Sequence, residues 1–213
     1  MITDRFTVLF VCHANVCRSP MAERLARRAL WERLGPLADA FEVHSAGTHA
    51  VPDQAMHPYT ARVLGENHAD PDGFLSRLVD PAMVTTADLV LTASRRHRAH
   101  CVTLAPRSVS HTFTIRQFGR LAAAVAATRT TVGIGPDTRA DPRTDGPDQA
   151  AEPLARARSL VVAAAAARSR VQPVSAEQDD LADPVLRPIG AFRDCARQVR
   201  QTLDTLLDII TKS

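Results

Sequence analysis

Residues 6–20 read Phe6-Thr7-Val8-Leu9-Phe10-Val11-Cys12-His13-Ala14-Asn15-Val16-Cys17-Arg18-Ser19-Pro20. The first six form an almost unbroken β-favouring apolar run. Continuous rather than alternating apolarity marks a strand covered on both faces, as in a parallel α/β sheet. A polar loop from Cys12 to Ser19 follows, and Pro20 stands in the first-turn position that helices tolerate. Beyond it Met21, Leu25 and Ala29, with Ala22, Ala26 and Leu30, recur at helical spacing, while Arg24, Arg27 and Arg28 face away. Strand, loop and helix make the opening half of a βαβ unit.

The same alternation continues outward. Residues 41–44 read as a second strand ending in the turn Ser45-Ala46-Gly47-Thr48. Residues 57–64 read as a helix stopped at Gly65, and residues 87–92 and 112–115 as two further strands. The fold class predicted is α/β: a doubly wound, mainly parallel sheet of about four strands with helices on both faces. Residues 128–148, rich in Gly, Pro, Thr and Asp, read as a loop or linker, and the Ala/Arg-rich residues 150–168 as a helix. A strong amphipathic helix closes the chain over residues 192–210, with Phe192, Val199, Leu203, Leu206, Leu207 and Ile210 near a 3.6 period. One domain over residues 1–213 accommodates all of this.

Composition excludes several classes. The 213 residues carry a formal charge of +3, too near balance to imply nucleic-acid binding without a clustered basic face. Four cysteines are too sparse for a disulfide framework, and none lies in a paired CxxC zinc pattern. The opening Met1-Ile2-Thr3-Asp4-Arg5 does not read as a secretory leader. No apolar stretch reaches the roughly 18 residues of a membrane span. A soluble, reduced, cytoplasmic protein with neither nucleic-acid nor membrane partners is expected.

The loop between the first strand and helix carries the chemistry. A cysteine and an arginine with five residues between them, set between a buried strand and a helix start, form an anion cradle. Backbone N–H groups of a tight loop point inward, and the helix adds its positive end. Arg18 can grip two oxygens of a phosphoryl group through its planar fork. Cys12 at the base lies in that positive field, which favours the nucleophilic thiolate. A buried structural cysteine beside a surface arginine is the plain alternative for an isolated Cys-x5-Arg; the flanking strand and Ser19-Pro20 helix start argue against it here.

The segment resembles the phosphate loop of the low-molecular-weight protein tyrosine phosphatases, V-C-x-G-N-x-C-R-S-P. The likeness extends through residues 45–48 and 87–92 and resumes at Asp183-Pro184 and the last helix, leaving residues 120–180 as an apparent insertion. The resemblance implies Cys12 as nucleophile, Arg18 as phosphate-binding arginine, Ser19 as the hydroxyl assisting the sulfur and Asn15 as the residue shaping the loop. His13, Ala14, Val16 and Cys17 complete the phosphate-binding segment. It implies neither metal nor cofactor. It also implies a general acid in an Asp-Pro pair before the last helix. Four such pairs occur, at Asp70, Asp80, Asp141 and Asp183; Asp183 has the matching position, with Asp141 as runner-up. The implied activity is hydrolysis of phosphotyrosine on a phosphorylated protein substrate through a cysteinyl-phosphate.

Departures from the family pattern qualify this. Ala14 replaces the usual Gly, harmless if that position needs room rather than positive φ. Phe74 stands where many relatives carry a loop-supporting histidine, which predicts a looser loop network. Val185 replaces an aromatic residue after the Asp-Pro pair. Val16 is apolar as in the tyrosine-directed members, where arginine phosphatases carry Thr; it lacks a hydroxyl to orient a guanidinium. Phosphoarginine is therefore the alternative substrate, and a non-catalytic oxyanion-binding or regulatory module the alternative of another kind. Arsenate reduction needs two further cysteines; Cys101 lies near one such place, but Ser94 occupies the other. Cys17 is read as a loop packer or as a resolving thiol for Cys12, and Cys195 as core. Arg95-Arg96-His97-Arg98 reads as a solvated face, with steering of an acidic substrate as the alternative.

Overall fold

A computed structural model describes residues 4–132 and 151–211. Four strands, β1 (Phe6–Cys12), β2 (Phe41–Gly47), β3 (Leu89–Thr92) and β4 (Thr112–Thr114), form one all-parallel sheet in the order β2-β1-β3-β4. The helices are α1 (Arg18–Leu34), α2 (Pro58–Glu66), α3 (Pro81–Thr86), α4 (Arg95–Leu104), α5 (Ile115–Val132), α6 (Ala151–Ala167), α7 (Ala176–Asp179) and α8 (Ile189–Thr211).

Both faces of β1 are buried, as its continuous apolarity demands. Phe6, Val8, Phe10 and Cys12 point into the larger core beneath α1, α5, α6 and α8, while Leu9 and Val11 point into a smaller one with Val84, Val90 and Cys101. The strand order reverses beside β1, so the crevice at the carboxyl ends of β1 and β3 is where a doubly wound sheet holds a ligand.

Several expectations need correction. Ser45, Ala46 and Gly47 are not a turn: they extend β2 and pair with Phe10, Val11 and Cys12. The helix expected to stop at Gly65 continues to Glu66 and starts at the His57 cap. Ile115, taken as strand, is the first residue of α5, because the Thr114 hydroxyl caps the helix by accepting from Gln117 N at 3.1 Å. That helix also runs into the expected linker, where Thr128 Oγ1 bonds back to Ala124 O at 3.0 Å. Residues 133–148 of that linker, Asp141 among them, lie outside the described residues, as do Met1, Ile2 and Thr3. The basic tetrapeptide at 95–98 opens helix α4 on a Ser94 cap.

Helix α6 turns Leu154, Ala157, Leu160, Val161, Ala164 and Ala167 into the larger core. At its end Arg168 lies over the Phe113 ring at 3.9 Å and donates to Val109 O and Thr112 O. This occupies the Thr112 carbonyl of edge strand β4, which an open edge leaves unpaired, and the Val109 carbonyl just ahead of the strand. Leu160 is 1% exposed and Val162 is 70% exposed. Leu160→Ala is predicted to lower unfolding free energy by about 2–5 kcal/mol, and Val162→Ala to change it by less than about 0.5 kcal/mol, as read by urea denaturation. Equal effects would show that α6 does not pack as described.

Candidate active site

The loop after β1 is folded back by its neighbours. Thr48 N donates to Cys12 O and His49 N to His13 O, at 2.9 and 2.8 Å, while His57 N donates to Val16 O at 2.8 Å. Gly47 permits this approach: a Cβ there would stand 2.6 Å from His13 O and 2.8 Å from Asn15 N. Asn15 turns the loop at φ 55°, a left-handed conformation that Asn tolerates better than most residues. Ala14 is not among the positive-φ residues, so its methyl group meets a requirement for room alone. Helix α1 then begins at Arg18 with no side-chain cap and no acidic residue in its first turn. Its positive end is not neutralised from within the helix.

Beneath the loop runs a buried chain of hydrogen bonds. Cys12 Sγ lies 2.9 Å from Ser19 Oγ. Asn15 Nδ2 donates to Ser19 Oγ and to Ser45 Oγ, each at 2.9 Å, and Asn15 Oδ1 accepts from Arg77 N at 2.9 Å. Ser45 Oγ in turn donates to Glu23 Oε2 at 2.6 Å, and Arg27 pairs with Glu23 at 2.9 Å. Ser19 Oγ has one proton and lies 3.2 Å from Ala46 O as well; an ionised sulfur is the stronger acceptor. The looser network expected from Phe74 is not found. Phe74 is buried under Arg24, and Glu23, at 2% exposure, anchors the chain instead. Sequence reasoning missed Glu23 and Ser45. A glutamate inside the apolar stripe Met21-Ala22-Leu25-Ala26, with arginine four residues on, was the available signal.

Asp183 reaches this loop from the other end of the chain. Arg18 Nη2 donates to Asp183 Oδ2 at 2.5 Å and Nη1 to Leu181 O at 3.3 Å, while Leu181 N is held by Ala93 O beyond β3 at 2.8 Å. Arg18 is 6% exposed, and its Nε has no partner among the described residues. The Asp183 carboxylate is half-exposed. The other described Asp-Pro aspartates do local work: Asp80 caps α3 through Met83 N, and Asp70 accepts from Asp72 N in a turn.

Comparison with known proteins fits this geometry. The family model for low molecular weight phosphotyrosine protein phosphatase matches residues 7–127. The chain belongs to that family. A protein-arginine-phosphatase of Bacillus subtilis is 33% identical over 111 residues, covering 52% of this chain and 71% of the relative. The low molecular weight protein-tyrosine-phosphatase Wzb of Escherichia coli K12 is 32% identical over 99 residues, covering 46% of this chain and 62% of its own length. In fold, the YwlE arginine phosphatase from Geobacillus stearothermophilus superposes with a TM-score of 0.60 at 23% identity, covering 95% of this chain and 91% of that one. It is thus a hydrolase family of protein phosphatases that this chain joins.

At the rim of this phosphatase loop, His13 is exposed and stacks on His49 with ring centroids 4.6 Å apart; His97 stands 6.4 Å from His13. Burial, and then the charge of His49, holds His13 below the usual histidine range. His97 Nδ1 pairs with Ser94 Oγ at 2.8 Å, and burial followed by the Arg18 charge pushes its pKa down to about 3. All four cysteines are free and buried. Burial pushes Cys17, Cys101 and Cys195 up to about 12, so these three stay protonated thiols at neutral pH. Cys17 packs into the larger core, as a loop packer does. Among the described residues no helix is long and apolar enough to cross a membrane.

An unfolded histidine titrates near 6.5, so as pH falls the unfolded chain takes up the proton that folded His97 refuses until about pH 3. The contribution of neutral His97 is complete above the unfolded pKa and is lost as pH falls toward the folded one. His97→Gln is predicted to flatten the acid limb of the stability curve by up to about 1.4 kcal/mol per pH unit. Denaturant titrations from roughly pH 6 to 4 read this, and an unchanged slope would contradict it.

Proposed function

We propose that this chain hydrolyses phosphate monoesters on protein side chains by double displacement at Cys12, with phosphotyrosine as the preferred substrate. The observation that carries the reading is the bond of Arg18 to Asp183, which joins a loop guanidinium to a carboxylate 165 residues away. With Cys12 Sγ on the Ser19 hydroxyl, it groups a nucleophile, an anion clamp and a proton donor. A merely anion-binding module has no physical need for that carboxylate, which competes with any anion for Arg18.

The substrate dianion takes the fork of Arg18 and backbone N–H groups of the loop and of the first turn of α1. The unpartnered Arg18 Nε supplies a further donor. Cys12 thiolate attacks phosphorus in line, forming the S–P bond as the P–O bond to the leaving group breaks. Asp183, displaced from Arg18 by the dianion, takes up a proton from solvent at its half-exposed carboxylate and passes it to the departing oxygen. Arg18 and the loop amides stabilise the three equatorial oxygens, where charge accumulates. Asp183, now a carboxylate, takes a proton from water as its oxygen attacks phosphorus. The S–P bond breaks, inorganic phosphate leaves, and the thiolate returns to the Ser19 hydroxyl.

Val16 supports the aryl substrate, since its side chain offers no hydrogen bond to a guanidinium. Phosphoarginine is the second reading, favoured by the Bacillus subtilis arginine phosphatase, of which the match covers 71%. We assign residues 120–180 as an insertion within this one phosphatase domain.

Asp183→Asn is predicted to lower kcat/KM, which reports the first displacement alone, by about 10²- to 10⁴-fold for phenyl phosphate, and by much less for a dinitrophenyl ester, whose leaving group needs no proton. Equal losses on the two esters would remove Asp183 as the acid. In parallel, Val16→Thr should raise the phosphoarginine-to-phosphotyrosine ratio of kcat/KM by roughly fivefold, the worth of one hydrogen bond. An unchanged ratio would overturn the substrate assignment and leave the chemistry standing.

A further inference from the structure

A cavity of about 290 Å³ opens between the start of α4, the start of α5 and the chain that follows α6. It is lined by four arginines, Arg95, Arg98, Arg120 and Arg168, by Gln117 and by a single acidic residue, Asp179. Four positive charges thus face one negative charge. Asp179 is fully committed, since Arg95 Nε and Nη2 donate to its Oδ2 at 3.1 and 2.7 Å, and Arg120 Nη1 to its Oδ1 at 2.6 Å. The remaining charged groups nearby do not redress the balance. Asp180 Oδ1 accepts from the Arg95 backbone, Glu177 is exposed, and Arg116 adds a further cation bonded to the Glu177 and Asp180 carbonyls.

Donor accounting gives the same picture. Arg168 spends both terminal nitrogens on Val109 O and Thr112 O, yet its Nε is buried and unpartnered among the described residues. Arg120 Nε is likewise buried and unpartnered. Arg98 bonds Thr112 O through Nε alone, at 2.9 Å. Gln117 Oε1, also buried and unpartnered, adds an acceptor for a hydroxyl. The field of these groups is felt by the arginines themselves. Burial, then the charge of Arg98, pushes Arg168 down to about 10, and burial lowers Arg98. Three buried, unpaired polar atoms thus belong to side chains of this one wall, and each calls for a partner.

We propose that this cavity is a second anion site, built for a small phosphorylated compound and distinct from the phosphate loop. Guanidinium forks match phosphate oxygens, and Gln117 Oε1 suits the hydroxyl of a hydrogen phosphate or of an attached alcohol. The volume sits near the roughly 300 Å³ lower bound of small-molecule pockets, which suits one or two phosphoryl groups with a small substituent. Leu121, Val171 and Pro173 supply an apolar wall for that substituent. The basic residues at 95–98 therefore divide. Arg95 and Arg98 line this cavity, and neither a wholly solvated face nor a steering patch describes them. Because Asp179 lies four residues before Asp183, an occupant touches the same segment that carries the proposed acid.

The test uses the full chain with Arg18→Ala, which removes the guanidinium clamp of the phosphate loop and makes the result independent of the proposed hydrolysis. Inorganic pyrophosphate and glycerol phosphate are titrated separately, followed by calorimetry and by amide NMR shifts. We expect saturable binding of at least one probe with shifts at Gln117, Arg120 and Val171, and a rise in unfolding temperature with its concentration. The tighter probe tells an inorganic from an organic ligand. Arg98→Gln should weaken binding at least tenfold. Gln117→Glu, nearly isosteric, should abolish binding and raise the unfolding temperature of the free protein, because it supplies the missing negative charge. Binding by neither probe, undiminished binding in both variants, or an effect matched by sodium chloride at equal ionic strength would overturn the proposal.

Discussion

The buried carboxamide of Asn15 is the constraint on which the site depends. From one left-handed residue it bonds the α1 hydroxyl Ser19, the β2 hydroxyl Ser45 and the backbone of Arg77. Three separate pieces of chain are thereby tied to the middle of the five-residue loop between β1 and α1, and Gly47 lets them close on it. A loop of this kind has no hydrophobic reason to be tight. Its shape comes from polar groups that would be costly to bury unpaired. Glu23 completes the arrangement at one end and the Cys12 sulfur at the other, so the position of that sulfur is coupled to a carboxylate inside α1.

The second half of the site is held by a different device. The segment carrying Asp183 has little regular structure of its own, and α7 is one turn long. It is fixed by Leu181 on Ala93, by the Arg18 fork, and by the double ion pair of Asp179 with Arg95 and Arg120. Asp179 is 2% exposed, and a buried carboxylate shared by two guanidinium groups is costly to break. The segment is thereby bound to α4 and α5.

Much of this was legible in the sequence, because the deciding signals are local. The unbroken apolar run of β1, the polar loop and the Pro20 helix start specify a strand–loop–helix unit whatever follows. Continuous burial of Val8 to Val11 follows from two-sided cover. Where reading failed, the missing information was tertiary. Ser45 to Gly47 look like a turn by composition and are strand because β1 offers a parallel partner. Ile115 looks like strand and is helix because Thr114 caps it. Glu23 and His97 look like surface residues until their partners, Ser45 and Ser94, are known. The arginines at 95–98 show charge in sequence but not the cavity that gathers them with Arg120 and Arg168.

The central claim is that the Cys12 sulfur carries the phosphoryl group between substrate and water. Rapid mixing of the protein with an excess of aryl phosphate, acid quenching and peptide mass spectrometry measures this directly. The account predicts a single phosphoryl group on the peptide containing Cys12, attached at sulfur and chased to inorganic phosphate on dilution. Phosphoryl transfer to another residue such as His13, or steady turnover with Cys12 never modified, would contradict it.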